Sequence, residues 1–531
     1  MTPAPMPPAP ILPAPILPAR DGIDPGTARR AGAVTVWEMF AERAAEHPGA
    51  PALELGDRTV SYGALAGRAA ALHGWLAGRG LVPGDRVAIL SENRGEYVEA
   101  LMACARGGFI LCCQNWRLAE AELAHCLGLV TPRATLASPR YAEPAARLFP
   151  GALVFGPDYE AALAAAPEAP APPDLDPEAG LVILYTSGTT GLPKGALISH
   201  RAEIARAMAG ATDLHVEPDE AFVAWAPMFH MVSTDSVFGT LMQGGRIFVT
   251  DGFDPDGLAA IVVAEKLGRL TLMPGMIVPF LEALDRNGGT PVGVRYAGVM
   301  ADLVPHDQLI AVTTRLNAPY INSFGSTETG SAPASRGKIG VGVAPTTLDK
   351  RQSSWSRLRL VDEDGNDVAP GEPGEAAVRG PGLFSGYWGA GEVNAKDFKD
   401  GWFRMGDMFV RNPDGTLSFV DRRKYLIKSG GENIYPAEIE RVLLADPRIV
   451  DAAVVRAPDP KWGEIPVAFV AARDPGLTEA AVIELCRAHI ARYKAPRAVR
   501  FVAEAELPRS ATGKIKRHEL EARLAAETQP V

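Results

Sequence analysis

The chain has 531 residues, 47% hydrophobic and 22% charged, with a formal net charge of −10. At ~100–200 residues per domain this length predicts two to four structural units, and the composition is that of an ordinary soluble globular protein. The acidic balance argues against a general nucleic-acid binder, whose surface is basic, so no nucleic-acid partner is expected.

The N-terminal stretch MTPAPMPPAPILPAPILPAR has Pro throughout and no basic region ahead of an apolar one. It reads as neither a signal peptide nor a membrane span. The near-repeat of PAPIL predicts an extended, disordered leader over 1–34. No later run of ~18 apolar residues occurs, so a soluble, cytoplasmic protein without an integral-membrane segment is expected. Cys104, Cys112, Cys113, Cys126 and Cys486 are odd in number, and the first four lie in apolar stretches without CxxC spacing. They read as buried free thiols, which suits a reducing compartment.

From about Thr35 to Thr327, short apolar strands alternate with helix-length segments. RVAILSE (86–92) precedes a helix near 95–107 and then GFILCC (108–113). LVILYT (181–186), AFVAWAP (221–227), RIFVT (246–250), LTLMP (270–274), VRYAGVM (294–300) and YINSFG (320–325) follow. This alternation predicts parallel α/β sheets, with residues 164–180 as a surface linker. After about 355 the texture is β-rich. RLRLVDEDGNDV holds an Asp-Gly turn and predicts a hairpin, and EAAVRG (375–380) and LSFVDR (417–422) add strands. From about 425 a compact α+β tail begins, with helices from about 436 and near 478–492. The fold expected is α/β. A large N-terminal domain of parallel α/β sheets with a β-rich subdomain spans 35–423, and a small α+β C-terminal domain spans 424–531.

ILYTSGTTGLPKGALISH (183–200) ends an apolar run at Thr186 and continues in Ser, Thr, Gly, Pro and one Lys. A strand running into such a loop points to phosphate. Small residues let backbone N–H groups approach anionic oxygens, and hydroxyls add donors beside the Lys194 charge. A Walker A loop does not fit, because Leu-Pro separates Gly191 from Lys194 and Gly195 follows the Lys. Pro193 also disfavours an immediate helix. A phosphate loop of another type remains, against the plainer alternative of a flexible connection.

YTSGTTGLPKG resembles the phosphate-loop signature of the adenylate-forming (AMP-binding) superfamily, which includes acyl-CoA synthetases, adenylation domains and beetle luciferase. Further matches follow in order. They are PMFH (227–230), SFGSTETG (323–330) with Phe324 in place of the usual Tyr, GWFRMGD (401–407), DRRKYLIKSGGENIYPAEIE (421–440) and LPRSATGKI (507–515). Together they span about 35–524.

The resemblance implies a carboxylic acid–CoA ligase using ATP, Mg2+ and coenzyme A. A carboxylate would have to expel oxide, so it is first converted to an acyl-adenylate; the thiol of CoA then displaces AMP. The resemblance places Thr186, Ser187, Gly188, Thr189, Thr190, Gly191 and Lys194 on the ATP phosphates, and Gly325 and Ser326 against the nucleotide. It places Thr327 on the α-phosphate, Glu328 and Thr190 on Mg2+, and Asp407 and Arg422 on the ribose. Lys514 is the cation that bridges carboxylate and α-phosphate in the first step; Thr186, Glu328 and His230 are the other candidate catalytic groups. The small domain is implied to be mobile, rotating between two poses about Lys424. Lys428, Ser429, Gly430, Gly431 and Glu432 then line the path of CoA. Trp462 either contacts CoA or packs in a core.

The implied acyl pocket draws on His230, Met231, Val232, Ser233, Ser236, Met300, Ala301, Gly325 and Ala332. These are mostly small or apolar, so a medium-chain fatty, aryl or alicyclic acid is expected. His230 reads as an aromatic gate, with a general base as the alternative. Asp235 is either a pocket charge or, with Ser233 and Thr234, a helix cap. Three segments depart from the family pattern: AGVMADLVP (297–305) at the usual Gly/Ala-Ala-Pro run, Met405 where Thr or Ser is common, and 341–361 in place of a short Gly-Arg-Pro link.

Rival readings are an adenylating enzyme that loads a separate carrier protein, a non-catalytic nucleotide-binding protein, and a luciferase-like oxygenase. No carrier domain is expected after Lys514. Retention of Lys514, Glu328 and Asp407 argues against the non-catalytic reading. A homodimer is compatible with the sequence, which carries no sign of one.

Overall fold

The computed structural model describes residues 24–186, 192–273, 275–299, 301–429, 432–509 and 515–527. The strand–helix alternation builds two six-stranded sheets. One runs, edge to edge, Leu153–Val154, Ala134–Ala137, Arg86–Leu90, Ile110–Cys113, Gly180–Thr186 (β1) and Lys194–Ser199 (β2). Its strands are parallel up to β1, and β2 returns antiparallel. The reason is chain length: residues 187–193 are too few for a parallel crossover, which needs a dozen or more. The sequence pattern did not reveal β2.

The second sheet runs Gly293–Val294, Lys266–Arg269, Ala221–Ala224, Ile247–Val249, Pro51–Leu55 and Arg58–Ser61, parallel except for its last pair. Helices His200–Leu214 (α1) and Met231–Gln243 (α2) pack in the core shared with both sheets. Ser199 starts α1 by accepting from the Ala202 N–H at 3.3 Å, a standard N-cap.

Several expectations need correction. The strand placed at 270–274 is Lys266–Arg269; Leu270 makes only an isolated bridge to Ala297. The segment 320–325 is not one strand. Tyr320–Ile321 pairs with Lys338–Ile339, and Phe324–Ser326 pairs with Gly330–Ala334, both antiparallel. The Asp-Gly turn near 364 closes a short antiparallel return, with Asp362 N donating to Asn366 O at 2.9 Å and Val368 N to Leu360 O at 3.0 Å, while the longer partner of Arg357–Val361 is the next strand, Pro373–Arg379. Part of the leader, Pro25–Ala31, is helical, because Asp24 accepts from the Gly26 and Thr27 N–H groups and Pro25 starts the helix; residues 1–23 lie outside the described set. The linker near 167 docks on helix Tyr62–Gly78: a Cβ on Gly74 would lie 2.3 Å from the Pro167 carbonyl oxygen.

The β-rich region is a five-stranded antiparallel sheet. It carries Arg357–Val361, Pro373–Arg379, Phe398–Lys399, Trp402–Arg411 (β3) and Leu417–Arg422 (β4). The tail has its own five-stranded sheet and two apolar faces. Ile427, Ile439, Val454, Val482 and Cys486 fill one, and Val455, Phe469, Leu507, Leu520 and Leu524 the other. All five cysteines are buried and free, and burial pushes each thiol's pKa up. Among the described residues no helix is long and apolar enough to cross a membrane.

Candidate active site

β1 and β2 make the expected phosphate loop the connection of an antiparallel pair, with Thr186 and Lys194 as cross-strand partners. Ser187, Gly188, Thr189, Thr190 and Gly191 lie outside the described residues. The Lys194 ammonium stands 4.1 Å from the centroid of the Tyr387 ring, within the range of a cation–π contact. The Tyr387 hydroxyl donates to Glu328 Oε1 at 2.7 Å. Burial, then the neighbouring Glu328 carboxylate, raises the Tyr387 pKa, so the phenol keeps its proton. The loop bearing Tyr387 is held by β2: Leu197 donates to Gly386 O at 3.0 Å, and Trp388 N donates to Gly195 O at 2.7 Å. Tyr387 was not singled out in the sequence; the only signal there is a Tyr-Trp pair after a glycine.

Glu328 lies within the tight turn 326–329, closed by Thr329 N donating to Ser326 O at 3.1 Å. Ser326 N–H donates to Thr329 Oγ1 at 3.0 Å, and Glu328 O accepts from Phe384 N at 2.8 Å. Phe324, standing where the family has Tyr, packs among rings with centroids 4.9 Å away on Phe409 and 5.0 Å away on Phe419. Those two rings lie on β3 and β4, so the 323–330 motif is seated on the β-rich sheet. Gly325 and Ser326 end the strand that enters this turn and Thr327 lies in it, Gly325 exposed and the others half-buried.

β3 and β4 bring together Asp407 and Arg422, expected separately from two motifs. They face each other in cross-strand register, with Arg422 Nε 3.1 Å from Asp407 Oδ1. The Asp407 carboxylate raises the Arg422 pKa, so the guanidinium stays charged.

On the acyl side, His230 caps α2. Its Nδ1 accepts from the Val232 N–H at 3.3 Å, which leaves the ring proton on Nε2. Phe229 packs edge-on against Trp116 at 6.0 Å, and Trp116 stacks on Tyr141 at 5.7 Å. Met231 and Val232 are half-buried at the start of α2. Three expectations are corrected here. Ser233 is fully buried and spends its hydroxyl on Ala226 O at 2.5 Å, so it offers nothing to a pocket. Ala301 is fully buried in the core that surrounds Leu309 and Val312. Asp235 caps nothing: it lies inside α2, and its carboxylate faces Arg206 at 3.3 Å. Ser236 donates to Val232 O of its own helix at 2.7 Å. Met300 and the side chain of Ala332 lie outside the described residues.

Two departures prove to be one feature. Lys350, from the unusual 341–361 segment, is fully buried. Its ammonium reaches Asp302 Oδ2 at 2.5 Å and also donates to Asn322 Oδ1. Burial pulls the Lys350 pKa down and Asp302 opposes that pull. The rest of the segment is tied to the end of α1. Asp213 accepts from the Ser335 and Ser353 hydroxyls at 2.6 Å, and Trp355 Nε1 donates to Thr212 Oγ1 at 2.7 Å. Gly298 is demanded by contact: its φ is +78°, and a Cβ would lie 1.9 Å from the Tyr320 ring.

Lys424 lies in the short turn Arg423–Tyr425 that directly follows β4; its side chain is outside the described set. The tail docks back on β4 through Asp421 Oδ2, which accepts from Ala437 N at 2.8 Å. Ile427–Ser429 and Glu432–Ile434 are antiparallel, so Lys428, Ser429 and Glu432 flank the connection. Gly430 and Gly431 within it, and Lys514, lie outside the described residues. Trp462 is 37% exposed, with Lys461 at 4.8 Å and Arg497 at 5.5 Å from its ring. Of its two sequence readings, core packing is therefore excluded.

Among the described residues no group of three or more His, Cys, Asp or Glu is arranged to hold a metal ion. That donor set fits Mg2+, which is held by one or two carboxylates together with substrate phosphates rather than by a protein cage. Glu328 supplies the carboxylate.

The profile of the AMP-binding enzyme family matches residues 40–388, and that of the AMP-binding enzyme C-terminal domain matches residues 438–514. The chain is 34% identical over 512 residues to an indoleacetate–CoA ligase of Aromatoleum aromaticum, covering 92% of this chain and 98% of that one. It is 33% identical over 496 residues to a feruloyl-CoA synthase of Amycolatopsis sp., covering 91% and 97%. Among solved structures, the o-succinylbenzoate CoA synthetase of Bacillus subtilis in complex with its acyl-adenylate intermediate superposes with a TM-score of 0.80 at 25% identity, over 92% of this chain and 98% of that chain.

Proposed function

The chain belongs to the AMP-binding enzyme family, and on that premise we propose how its residues divide the reaction and which acids it takes. It is an ATP-dependent, AMP-forming acid–CoA ligase, with ATP, Mg2+ and coenzyme A as its small-molecule requirements. In the first step a carboxylate oxygen attacks the α-phosphorus, and the bond to pyrophosphate breaks. In the second the CoA sulfur attacks the acyl carbon, the bond to AMP breaks and the thiol proton is lost.

The observation that carries the division of labour is the convergence of Lys194, Tyr387 and Glu328 next to the Asp407–Arg422 pair. Lys194 and the hydroxyls from Thr186 to Thr190 hold the β- and γ-phosphates. Glu328 and Thr190 would hold Mg2+, which when bound supplies charge neutralisation on the phosphate oxygens. Tyr387 orients Glu328 and is held in turn by Lys194. Asp407, already neutralised by Arg422, accepts from the ribose hydroxyls. Lys514 brings its charge between the carboxylate and the α-phosphate, where two anions must meet. After pyrophosphate leaves, the tail turns about Lys424 and presents Lys428 to Glu432 and Trp462 to CoA. Lys424 is thereby the boundary of the small domain.

The acid is an aromatic one. Relatives over nine-tenths of the chain are named for indoleacetate and ferulate, and the structural neighbour for o-succinylbenzoate. The Trp116–Phe229–Tyr141 cluster behind His230 supports the same class, since flat rings pack edge-on and stacked against such a wall.

The test is acid-dependent AMP release across aryl, arylacetic, cinnamic, medium-chain fatty and alicyclic acids, with and without CoA. Turnover with an aryl-bearing acid that requires CoA is the result expected. Turnover only with fatty acids would overturn the substrate assignment. Acyl-adenylate that CoA never discharges would favour loading of a carrier protein.

A further inference from the structure

Arg206 lies near the middle of α1, 8% exposed. Its guanidinium points three ways at once. Nε donates to Gly382 O at 3.0 Å, Nη2 donates to Thr327 O at 3.0 Å, and Nη1 faces both oxygens of Asp235 at 3.3 Å. One helical turn earlier, Arg201 donates to the carbonyls on either side, Pro381 O and, at 3.2 Å, Leu383 O. Three consecutive carbonyls, 381 to 383, are thus gripped by two arginines of one helix. The chain then runs on to Phe384, whose N–H holds Glu328 O, and to Tyr387, whose hydroxyl holds the Glu328 carboxylate. Arg206 therefore fixes both ends of the frame in which Glu328 sits: the residue before it and the loop opposite.

The surroundings are built for that fork. Gly330 has φ +68°, and a Cβ there would lie 2.9 Å from Arg206 Cγ and Cδ, so the turn after Glu328 closes only over a glycine. Glu203, one turn before Arg206, is fully buried and 4.0 Å from Nη1. Burial, with Asp235 beside it, pushes the Glu203 pKa well up. Burial raises the Asp235 pKa as well, but there the Arg206 guanidinium is the first cause that opposes it, so of the two acids Glu203 is the one pushed toward the protonated form and Asp235 the one whose carboxylate the guanidinium favours. A lysine could not replace this arrangement, because a single ammonium cannot reach three acceptors set around a planar fork.

We propose that Arg206 is a positioning residue for the Thr327–Glu328 motif, held in place by Asp235 and acting on the phosphate and Mg2+ side of the reaction rather than on the acid. This rests on the reading that Glu328 serves the nucleotide phosphates.

The test compares R206K, D235N and E203Q with the wild type. Steady-state kinetics, the Mg2+ dependence of ATP binding by calorimetry, and melting temperature are measured for each. For R206K a ~10–100-fold loss of kcat is expected, the size of losing an aligned charged donor set. The KM for the acid should stay within ~2-fold, and more Mg2+ should be needed for half-maximal ATP binding. D235N should show the same pattern more weakly, and it carries the test if R206K does not fold. E203Q, a neutral amide for a neutral acid, should stay within ~3-fold of wild type. A lowered melting temperature with wild-type kcat and Mg2+ dependence would overturn the proposal, as would a loss confined to the KM for the acid. If the wild type releases AMP with no acid, the ligase reading fails independently; the Mg2+ dependence of ATP binding still decides the role of Arg206.

Discussion

Tyr387 is a buried phenol that touches two residues of opposite charge, Lys194 through its ring face and Glu328 through its hydroxyl. Replacing it by Phe keeps the ring contact and removes one hydrogen bond. A net ~0.5–1.5 kcal/mol is at stake, so Tyr387→Phe should lower kcat/KM for ATP about 2–12-fold with little change in the KM for the acid. Asp407→Asn asks a different question. It removes a charged acceptor and leaves Arg422 facing a neutral amide. Charge-assisted hydrogen bonds contribute ~1.5–3 kcal/mol, so kcat/KM for ATP should fall roughly 10–150-fold in an ATP titration at saturating acid. If both variants match wild type in such a titration, the nucleotide does not lie along the Glu328–Asp407 line.

At the scale of elements, the two unusual segments stabilise each other. The 301–303 turn and the 341–361 segment are tied by Lys350 to Asp302, with Asn322 bonded to both Lys350 and Asp349 O. The two ends of the pair are not equivalent. Asp302 is about a third exposed while Lys350 is fully buried. Asp302→Ala strands a buried ammonium, a change that costs ~3–5 kcal/mol when such a pair is broken. Lys350→Met removes the buried charge, and its partner carboxylate can still reach water. Denaturant melts should therefore rank Asp302→Ala as clearly less stable than Lys350→Met. Equal losses would mean that the pair is not buried as described. Element placement also explains what reading the sequence missed. Strand β2 follows a glycine-rich loop that carries no apolar alternation. Tyr387, Lys350 and Arg206 act on partners 59, 28 to 48 and 121 residues away. No local pattern points across such distances.

At the scale of the molecule, one site must serve two reactions with incompatible occupants. On the division of labour proposed above, Lys514 belongs to the first and Gly430–Gly431 to the second. The two half-reactions should therefore separate. Lys514→Ala should lose acid-dependent pyrophosphate release by ~100–1,000-fold, the size of removing one preorganised charge donor. The same variant, supplied with acyl-adenylate and CoA, should still form thioester at near the wild-type rate. Gly431→Trp, which puts a bulky ring on the proposed path of CoA, should show the reverse. Variants that lose both half-reactions together would argue against a turning small domain.

The sequence by itself determined the family and the reaction, and it named the residues proposed to hold ATP. Those roles are written into short runs, such as Thr186–Lys194 and Gly401–Asp407, because a phosphate or a ribose is bound by groups a few residues apart. It also determined the alternation of strands and helices and the separate β-rich and tail regions, since the hydrophobic period changes where they begin. Only the tertiary structure decided that β2 returns antiparallel, that Asp407 meets Arg422 across a ladder, that Asp235 serves an arginine instead of a helix end, and that Lys350 and Asp302 are partners. These are pairings between segments far apart in the chain. Register and burial choose them, and a residue's identity specifies only that a partner is required.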